Sequence, residues 1–396
     1  MSWEVKKLSD CCVSIADGDH QAPPKADFGI PFVTISDINV YNQFDFTDTM
    51  FVPREYYDRL DNKRKAQKGD VLYSVVGSFG IPVYMKETVP FVFQRHIAIL
   101  RPNDTILPQF LYYTMLSRDF YMMADAAALG AAQRTVSLTA LRNIRISVPP
   151  MDVQKKIVDT LSAYDNLIEN NQKQIKLLEE AAQRLYKEWF VDLRFPGHEN
   201  TKITDGVPEG WSLSTVGKIC KLKKETVVLT KIPANTPYIG LEHMPRSDFC
   251  LSSWGNAEDA TSNKFLYAVD DIVFAKIRPY FHKVGFTLNN GIASTDSFVM
   301  KANEGLWGLL LMTVFDKTFV EYTCQTCREG AKMPRADWSQ MEKYSVLIPD
   351  ENIRKQFEDY IWKVTRQIRT LTLQNRMLSE ARDRLLPKLI NGEIEV

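Results

Sequence analysis

The sequence has no excess charge of either sign, little cysteine and no apolar run long enough to cross a membrane. Its 49 Lys and Arg residues balance 49 Asp and Glu residues, whereas a protein that binds nucleic acid unaided is usually basic. The longest apolar run, residues 306–315, is about half of what a transmembrane helix needs. Six cysteines in 396 residues are too few for a disulfide scaffold. Together with the polar residues 1–10, which lack a signal-peptide core, these features predict a cytoplasmic protein.

Motifs of catalysis are also missing. Val148-Pro149-Pro150-Met151 lacks both the polar first residue and the aromatic last residue of an adenine-methylase motif. No G-x-G-x-x-G follows a predicted strand, and residues 210–218 lack the spacing of a phosphate loop. The five histidines are scattered. We therefore expect this chain not to be an enzyme and to bind no cofactor of its own.

One cysteine spacing is typical of a metal site. Cys324-Gln325-Thr326-Cys327, with Cys220 and Cys250, could supply four thiolates to zinc. The chain has no second C-x-x-C motif, and the matching segment of the first half has no cysteine. Free thiols are therefore the expectation, and no metal is predicted.

The chain repeats itself at an interval of 200 residues. Apolar residues recur with heptad spacing from Phe357 to Leu389, and the same spacing runs from Ile157 to Trp189. Each helix is preceded by a segment that begins with glycine and ends with proline at matching positions, Gly130 to Pro149 in the first half and Gly330 to Pro349 in the second. This pattern predicts a tandem duplication of one globular module and one long helix.

The sequence predicts that the globular modules have an α/β fold. Strands are predicted over 32–35, 71–76 and 97–100, and a helix over 108–123. The long helices are predicted over 152–191 and 351–386, with a linker that ends near residue 204. The predicted organisation is two globular α/β modules, 1–150 and 205–350, each followed by a helical segment, 151–204 and 351–396.

The heptads also predict how the two helices pair. Each seam contains one asparagine, Asn171 at an a position and Asn375 at a d position. An antiparallel pair places these amides opposite each other, whereas a parallel pair would bury both against apolar partners at about 1–3 kcal/mol each. The same register places Trp189 opposite Phe357 and Tyr164 opposite Arg382. We therefore predict an antiparallel coiled coil that relates the two halves by a pseudo-two-fold axis.

Two kinds of segment are candidates for contact with a partner. Lys276, Arg278 and Tyr280 lie in a stretch that interleaves cations with aromatics, from which side chains can reach DNA bases or phosphates. The glycine loops carry the second set, which is Gln133, Arg134, Lys332 and Arg335. Ordinary solvated turns would explain both segments equally well. The run Lys63-Arg64-Lys65 is more typical of a solvated helix face.

In order along the chain, these segments resemble the specificity subunits of type I restriction–modification systems. The resemblance rests on Pro149-Pro150-Met151-Asp152-Val153-Gln154 at the start of the first helix and on Trp189-Phe190-Val191-Asp192-Leu193-Arg194 near its end. Val207-Pro208-Glu209-Gly210-Trp211, Lys276-Ile277-Arg278-Pro279-Tyr280 and Leu385-Leu386-Pro387-Lys388-Leu389 extend it to the second half. One departure is Arg354, which stands where the repeat would place the glutamine equivalent to Gln154.

The resemblance implies two target-recognition domains that each read half of a split, asymmetric DNA sequence. It further implies helices that space these domains and dock two modification subunits, which carry S-adenosylmethionine, and sometimes motor-nuclease restriction subunits. The alternative is a duplicated coiled-coil adaptor whose modules bind proteins, which the neutral charge would suit.

Overall fold

The computed structural model describes residues 3–39, 41–47, 49–130, 134–327 and 333–395. It divides into two compact units. The first unit combines Met1–Asn166 with Leu378–Val396, and the second unit is Leu167–Met377. Each unit thus contains one globular part and segments of both long helices. No helix in the described part of the chain is long and apolar enough to span a bilayer.

The globular part of the first unit is a mixture of short strands and helices. The strands are β1 (Glu4–Lys7), β2 (Cys12–Asp17), β3 (Ile30–Val33), β4 (Met50–Val52), β5 (Val71–Ser74), β6 (Pro82–Tyr84), β7 (Val92–Phe93), β8 (Ile97–Pro102) and β9 (Arg145–Val148). The helices are α1 (Arg54–Arg59), α2 (Pro108–Leu116), α3 (Arg118–Ala126) and α4 (Leu138–Asn143). The first long helix, α5 (Met151–Tyr186), follows and ends in a π-helical turn, Lys187–Val191.

The second unit is also a mixture of short strands and helices, with more strands than the first unit among the described residues. Its strands are β10 (Ile203–Thr204), β11 (Val207–Pro208), β12 (Ser212–Thr215), β13 (Cys220–Lys223), β14 (Thr226–Val227), β15 (Pro237–Ile239), β16 (Cys250–Leu251), β17 (Gly255–Asn256), β18 (Lys264–Tyr267), β19 (Ile272–Ala275), β20 (Val284–Thr287), β21 (Gly291–Ala293), β22 (Ser297–Ala302) and β23 (Ser345–Ile348). Its helices are α6 (Val216–Ile219), α7 (Trp307–Phe315), α8 (Lys317–Gln325) and α9 (Trp338–Met341). The second long helix, α10 (Glu351–Ile390), closes the chain.

Several strand pairings of the first unit recur in the second. The main sheet has the order β2-β8-β5-β6 in the first unit and β13-β22-β19-β20-β16 in the second. In both, a parallel pair (β3 with β7, β15 with β21) lies in a second sheet, and the first strand of the unit's α/β part pairs with the strand before the long helix (β1 with β9, β12 with β23). The pairings therefore repeat, as the sequence repeat predicts.

Alternation along the central strands builds two cores in the first unit. Val71 and Tyr73 of β5 pack with Phe110 of α2, whereas Leu72 packs with Phe93 on the other face of the sheet. Because successive strand side chains point to opposite faces, a strand that is buried on both sides is apolar throughout. This explains why the apolar run at 71–76 identifies a central strand.

The helix predicted over 108–123 is divided in two. α2 ends at Leu116, and Ser117 begins the next helix because its Oγ accepts the Phe120 N–H at 3.2 Å. Serine caps a helix in this way because its hydroxyl satisfies one of the N–H groups that a first turn leaves without a partner. The prediction of one continuous helix is therefore wrong at this residue.

Within the second unit α5 and α10 run antiparallel. Asn171 Nδ2 donates to Asn375 Oδ1 at 2.9 Å, which joins the two amides that the heptad register places opposite each other. Just beyond α5, Trp189 lies against Phe357 with ring centroids 5.8 Å apart. Later residues of the first helix thus meet earlier residues of the second, as antiparallel packing requires.

In the first unit the same two helices also meet. Ile157 and Leu389 belong to one apolar cluster. Arg382 Nη1 donates to Asp165 Oδ1 at 2.6 Å. The guanidinium thus binds the carboxylate next to Tyr164, where the register predicted a layer with the Tyr164 ring. A carboxylate is the stronger partner because it offers a charge-assisted hydrogen bond.

The second long helix extends beyond its predicted end at residue 386. α10 continues through Pro387 to Ile390, although proline lacks the N–H that a helix interior needs. Leu389 and Ile390 are 2% and 6% exposed. Burial of these two side chains, at about 1.5–3 kcal/mol each, is large enough to offset the lost hydrogen bond.

The starts of α2 and α7 are each capped by a side chain from a long helix. Gln154 Oε1 accepts the N–H of the residue before α2 at 2.8 Å. In the second unit Arg354 occupies the equivalent position, and Glu358, one turn further along, provides the cap. Its two oxygens accept the N–H groups of Gly308 and Leu309 at 2.7 and 2.8 Å. The departure from the helix-start motif is therefore compensated by a different residue.

Candidate nucleic-acid interface

Two segments that the sequence predicts to contact a partner lie side by side in the second unit. Ile277 and Arg335 form an antiparallel bridge. On one side of it the Ala336 N–H donates to the Lys276 carbonyl at 2.8 Å. On the other side the Arg278 N–H donates to the carbonyl of the residue before Arg335 at 2.9 Å. Segments that are distant in sequence thus form one junction.

The ammonium group of Lys276 lies over aromatic rings beside this junction. Its Nζ is 4.6 Å from the ring centroid of Phe298 and 5.2 Å from that of Phe265. It also donates to the Thr295 carbonyl at 2.7 Å. Burial lowers the pKa of Lys276, and the positive charge of Arg335 lowers this pKa further. The negative charge of Asp296, which pairs with Arg335, acts in the opposite direction and raises the pKa of Lys276.

Of the other predicted contact residues at this junction, Arg335 and Tyr280 are exposed and Arg278 is half-buried. Arg335 forms an ion pair with Asp296, and its side chain is 48% exposed. Arg278 has a φ of 51°, and its guanidinium lies 5.8 Å from the Phe281 ring centroid. Tyr280 is 53% exposed and packs edge-on against the same ring at 4.8 Å. Arg278 and Tyr280 thus share one aromatic turn that follows β19.

Lys276 and Arg335 line a cleft of about 480 Å³, which we call the second cleft. Lys223, the last residue of β13, and the following Lys224 contribute to its wall, and Trp338 at the start of α9 lines it as well. Lys223 also forms an ion pair with the buried carboxylate of Asp271. The second cleft therefore combines four cationic side chains with aromatic surface, a combination that suits nucleic acid.

Sequence reasoning missed Lys223, Lys224 and Trp338. A signal was present, because Lys221-Leu222-Lys223-Lys224 is a short basic run. Nothing in the sequence indicates that this run lies beside Lys276, since strand pairing brings them together.

The first unit contains the same junction with different side chains. Val76 and Thr135 form the equivalent bridge. The Gly77 N–H donates to the Arg134 carbonyl at 3.1 Å, and the N–H of the residue after Thr135 donates to the Val75 carbonyl at 2.9 Å. Val75, Gly77 and Thr135 thus stand where the second unit has Lys276, Arg278 and Arg335. The cations of the second junction have uncharged counterparts in the first.

Arg134 holds its loop to the end of α3. Its side chain forms an ion pair with Asp125 at 3.1 Å, donates to the carbonyl of the same residue at 2.5 Å, and is 46% exposed. Gln133 and Lys332, the remaining predicted contacts, lie outside the described residues. Arg134 is therefore the one predicted contact of the first unit that the structure places.

The cysteines do not assemble into a metal site in the part of the chain that the structure describes. Across those residues, no group of three or more His, Cys, Asp or Glu side chains could hold a metal ion. Cys220 and Cys250 are buried. Burial raises the pKa of Cys220 to about 12, which disfavours the thiolate that zinc requires.

Comparison with known proteins finds relatives of one kind. Residues 1–180 match the family model described as the type I restriction modification DNA specificity domain. The MjaIX type I restriction enzyme specificity subunit of Methanocaldococcus jannaschii is 24% identical, and the match covers 100% of this chain and 94% of the relative. The HindI specificity subunit of Haemophilus influenzae is 22% identical, and the match covers 84% of this chain and 88% of the relative.

A solved structure has the same fold. The crystal structure of the type I restriction-modification system S subunit from M. genitalium matches with a TM-score of 0.56 at 15% identity. The match covers 98% of this chain and 96% of that chain. At this identity the likeness concerns the fold.

Proposed function

We propose that the chain is a specificity subunit of a type I restriction–modification system, because residues 1–180 match that family's model and two relatives of this kind match 100% and 84% of the chain. We propose further that it reads a bipartite, asymmetric sequence in double-stranded DNA. It is a non-catalytic subunit, and the chemistry of modification and cleavage lies in its partners. We propose residues 1–150 and 205–350 as the two target-recognition domains. Residues 151–204 and 351–396 are then the helical segments that connect them.

The observation that carries this proposal is the repeated junction with different side chains. The backbone pairing of residues 75–77 with 134–136 matches that of 276–278 with 334–336. The side chains at the matched positions differ in charge, since Val75 corresponds to Lys276 and Thr135 to Arg335. A common frame that carries different contact groups is what reading two unlike half-sites requires.

The neutral net charge of the chain is compatible with DNA binding, because cationic side chains are grouped locally. The chain is neutral as a whole, yet four basic side chains line the second cleft. Since phosphate contacts depend on charge within a few ångströms, a neutral chain can bind DNA through such a patch. The partner subunits would supply the remaining binding surface.

The long helices are proposed to space the domains as one antiparallel coiled coil and to dock the partners. The Asn171–Asn375 bond supports the antiparallel register. In the second unit the outer helix surface exposes apolar side chains, Leu177 at 64% and Tyr360 at 40%, around a groove of about 420 Å³. We propose this exposed apolar surface as part of the docking site for two modification subunits, which would bind S-adenosylmethionine. Motor-nuclease restriction subunits would join the complex where they are present.

Methylome sequencing tests this function. A strain that produces the chain with its modification subunits should methylate one split motif, and a strain without the chain should not. Replacing residues 1–150 with the equivalent module of a relative should change one half of the motif and leave the other unchanged. A change in both halves would contradict bipartite recognition by separate modules, whereas methylation that did not depend on the chain would favour the adaptor alternative.

A further inference from the structure

The first unit has a cleft whose wall corresponds in part to the wall of the second cleft. Ala16 of β2 pairs with Ile99 of the main sheet, as Lys223 of β13 pairs with Val299. Leu138 begins α4, as Trp338 begins α9. The space beside these elements in the first unit has a volume of about 520 Å³, and we call it the first cleft. The repeated fold thus produces a cleft twice.

Three cationic side chains line the first cleft. Lys63 and Arg64 come from the short 3-10 helix Asn62–Arg64, and Arg142 comes from α4. None of them corresponds in the strand pairing to a cation of the second cleft, whose cations come from β13 and from the junction. The two clefts therefore share basic character although the residues that provide it differ, which is why the sequence repeat does not reveal it.

The structure orients these cations. Arg142 Nη2 donates to the Ile15 carbonyl at 2.6 Å, which fixes the guanidinium at the cleft wall. Arg64 lies 3.9 Å from Asp17 and 3.7 Å from Asp19. These nitrogen–oxygen separations are longer than hydrogen bonds, so the carboxylates orient Arg64 without fully using its donors.

The acidic side chains that line the cleft form hydrogen bonds within the protein. Asp17 is hydrogen bonded to His20 at 2.8 Å. Asp61 accepts the Lys63 N–H at 2.9 Å and so caps the short helix. The lining has three cationic and two acidic side chains, so the cleft keeps a net positive charge, and the donor groups of Lys63, Arg64 and Arg142 face a ligand there. Guanidinium forks match the oxygens of a phosphate group.

We propose that the first cleft binds a phosphate of the DNA backbone through Arg64 and Arg142. This inference rests on the proposed function and assigns the first unit a contact site that differs from the predicted Gln133 and Arg134. A phosphate contact positions the duplex without reading its sequence. The first unit would then hold the backbone through this cleft and read bases elsewhere.

The test uses the full chain assembled with its modification subunits. Binding is measured from about 50 to 200 mM NaCl on two duplexes. One contains the recognition motif that methylome sequencing identifies, and the other lacks it. Arg64→Gln and Arg142→Gln should each weaken binding to both duplexes and reduce the salt slope by about 0.9. That change corresponds to a roughly 3.5-fold smaller loss of affinity over this salt range.

Two further variants separate a lost contact from a folding defect. Arg64→Lys keeps the charge and should keep the salt slope. Arg54→Gln removes the same charge from an exposed ion pair with Asp58, outside the cleft, and should leave the slope unchanged. Unchanged binding in the Arg64→Gln and Arg142→Gln variants, or a loss confined to the motif-containing duplex, would overturn the inference alone. A wild-type complex that does not distinguish the two duplexes would overturn the proposed function as well.

Discussion

The Asn171–Asn375 pair provides a quantitative test of the helix register. Asn171 is 8% exposed and Asn375 is 3% exposed, and one hydrogen bond of 2.9 Å joins them. Replacing either residue alone with leucine leaves the other amide buried without its partner. We expect each single variant, Asn171→Leu and Asn375→Leu, to lose about 1–3 kcal/mol of unfolding free energy.

The double variant should recover most of that loss. Within the described residues, Asn375 Nδ2 has no hydrogen-bond partner, so the wild-type pair already carries one unsatisfied donor. Two facing leucines remove every buried amide of the layer and add apolar burial. We therefore expect the double variant to be within about 1 kcal/mol of the wild type or more stable, with a coupling energy of about 1–3 kcal/mol.

Tryptophan fluorescence during urea unfolding isolates the relevant transition, because six of the seven tryptophans lie within Leu167–Met377. Thr365→Val is the matched control. Thr365 is 2% exposed, and its hydroxyl donates to the Ile361 carbonyl of its own helix at 2.8 Å. It lies about 15 Å along α10 from Asn375, so Thr365→Val and Asn171→Leu should be additive. A coupling energy below about 0.5 kcal/mol between Asn171 and Asn375 would refute the reasoning.

Three further predictions follow from the second unit. Lys276→Ala should weaken DNA binding by the assembled methyltransferase, by about 1–3 kcal/mol at one motif position if Lys276 reads a base edge. Unchanged affinity in a binding titration would show that the segment supports the fold and does not contact DNA. Burial raises the pKa of Glu179 to about 8, so the folded state holds a proton that the unfolded state loses near pH 4.5. The unfolding free energy should thus fall by about 1.4 kcal/mol per pH unit from about pH 5 to 8, and urea titrations of Glu179→Gln should lack this fall; an equal slope in both proteins would contradict the assignment. Glu358→Ala, which leaves two N–H groups of α7 without acceptors, should cost about 1–3 kcal/mol by urea unfolding, whereas Glu358→Gln should cost less; equal losses would show that the cap is unimportant.

The long helices could be predicted in detail because their information is local. A helix has a fixed period, so heptad spacing identifies the buried seam, and the two asparagines select one antiparallel register. The central strands are also recognisable, since a strand buried on both faces is mostly apolar, as Val71, Leu72 and Tyr73 of the fully buried strand Val71–Ser74 are. The break at Ser117 was missed because it depends on a cap and not on periodicity.

The candidate site could be predicted only in part. Lys276 and Arg335 were selected separately for their chemistry, and the sequence contains no sign that a backbone bridge at Ile277 joins their segments. Lys63 and Arg64 were interpreted as a solvated helix face because a basic run is usually exposed. Their position in the first cleft depends on strand and helix packing far along the chain, with Arg142 as the third cation.

The repeat, the long helices and the resemblance to specificity subunits are recognisable from the sequence alone, because heptad periods and ordered motifs are properties of contiguous residues. Contacts between residues that are distant in the sequence become apparent only in the tertiary structure. It placed Glu358 where Gln154 serves in the other half, and it gathered cations from unrelated elements into two clefts. These contacts depend on pairing between strands that are distant in the sequence, and such pairing leaves no periodic pattern. One fold can therefore place cations in both clefts from different sequence positions.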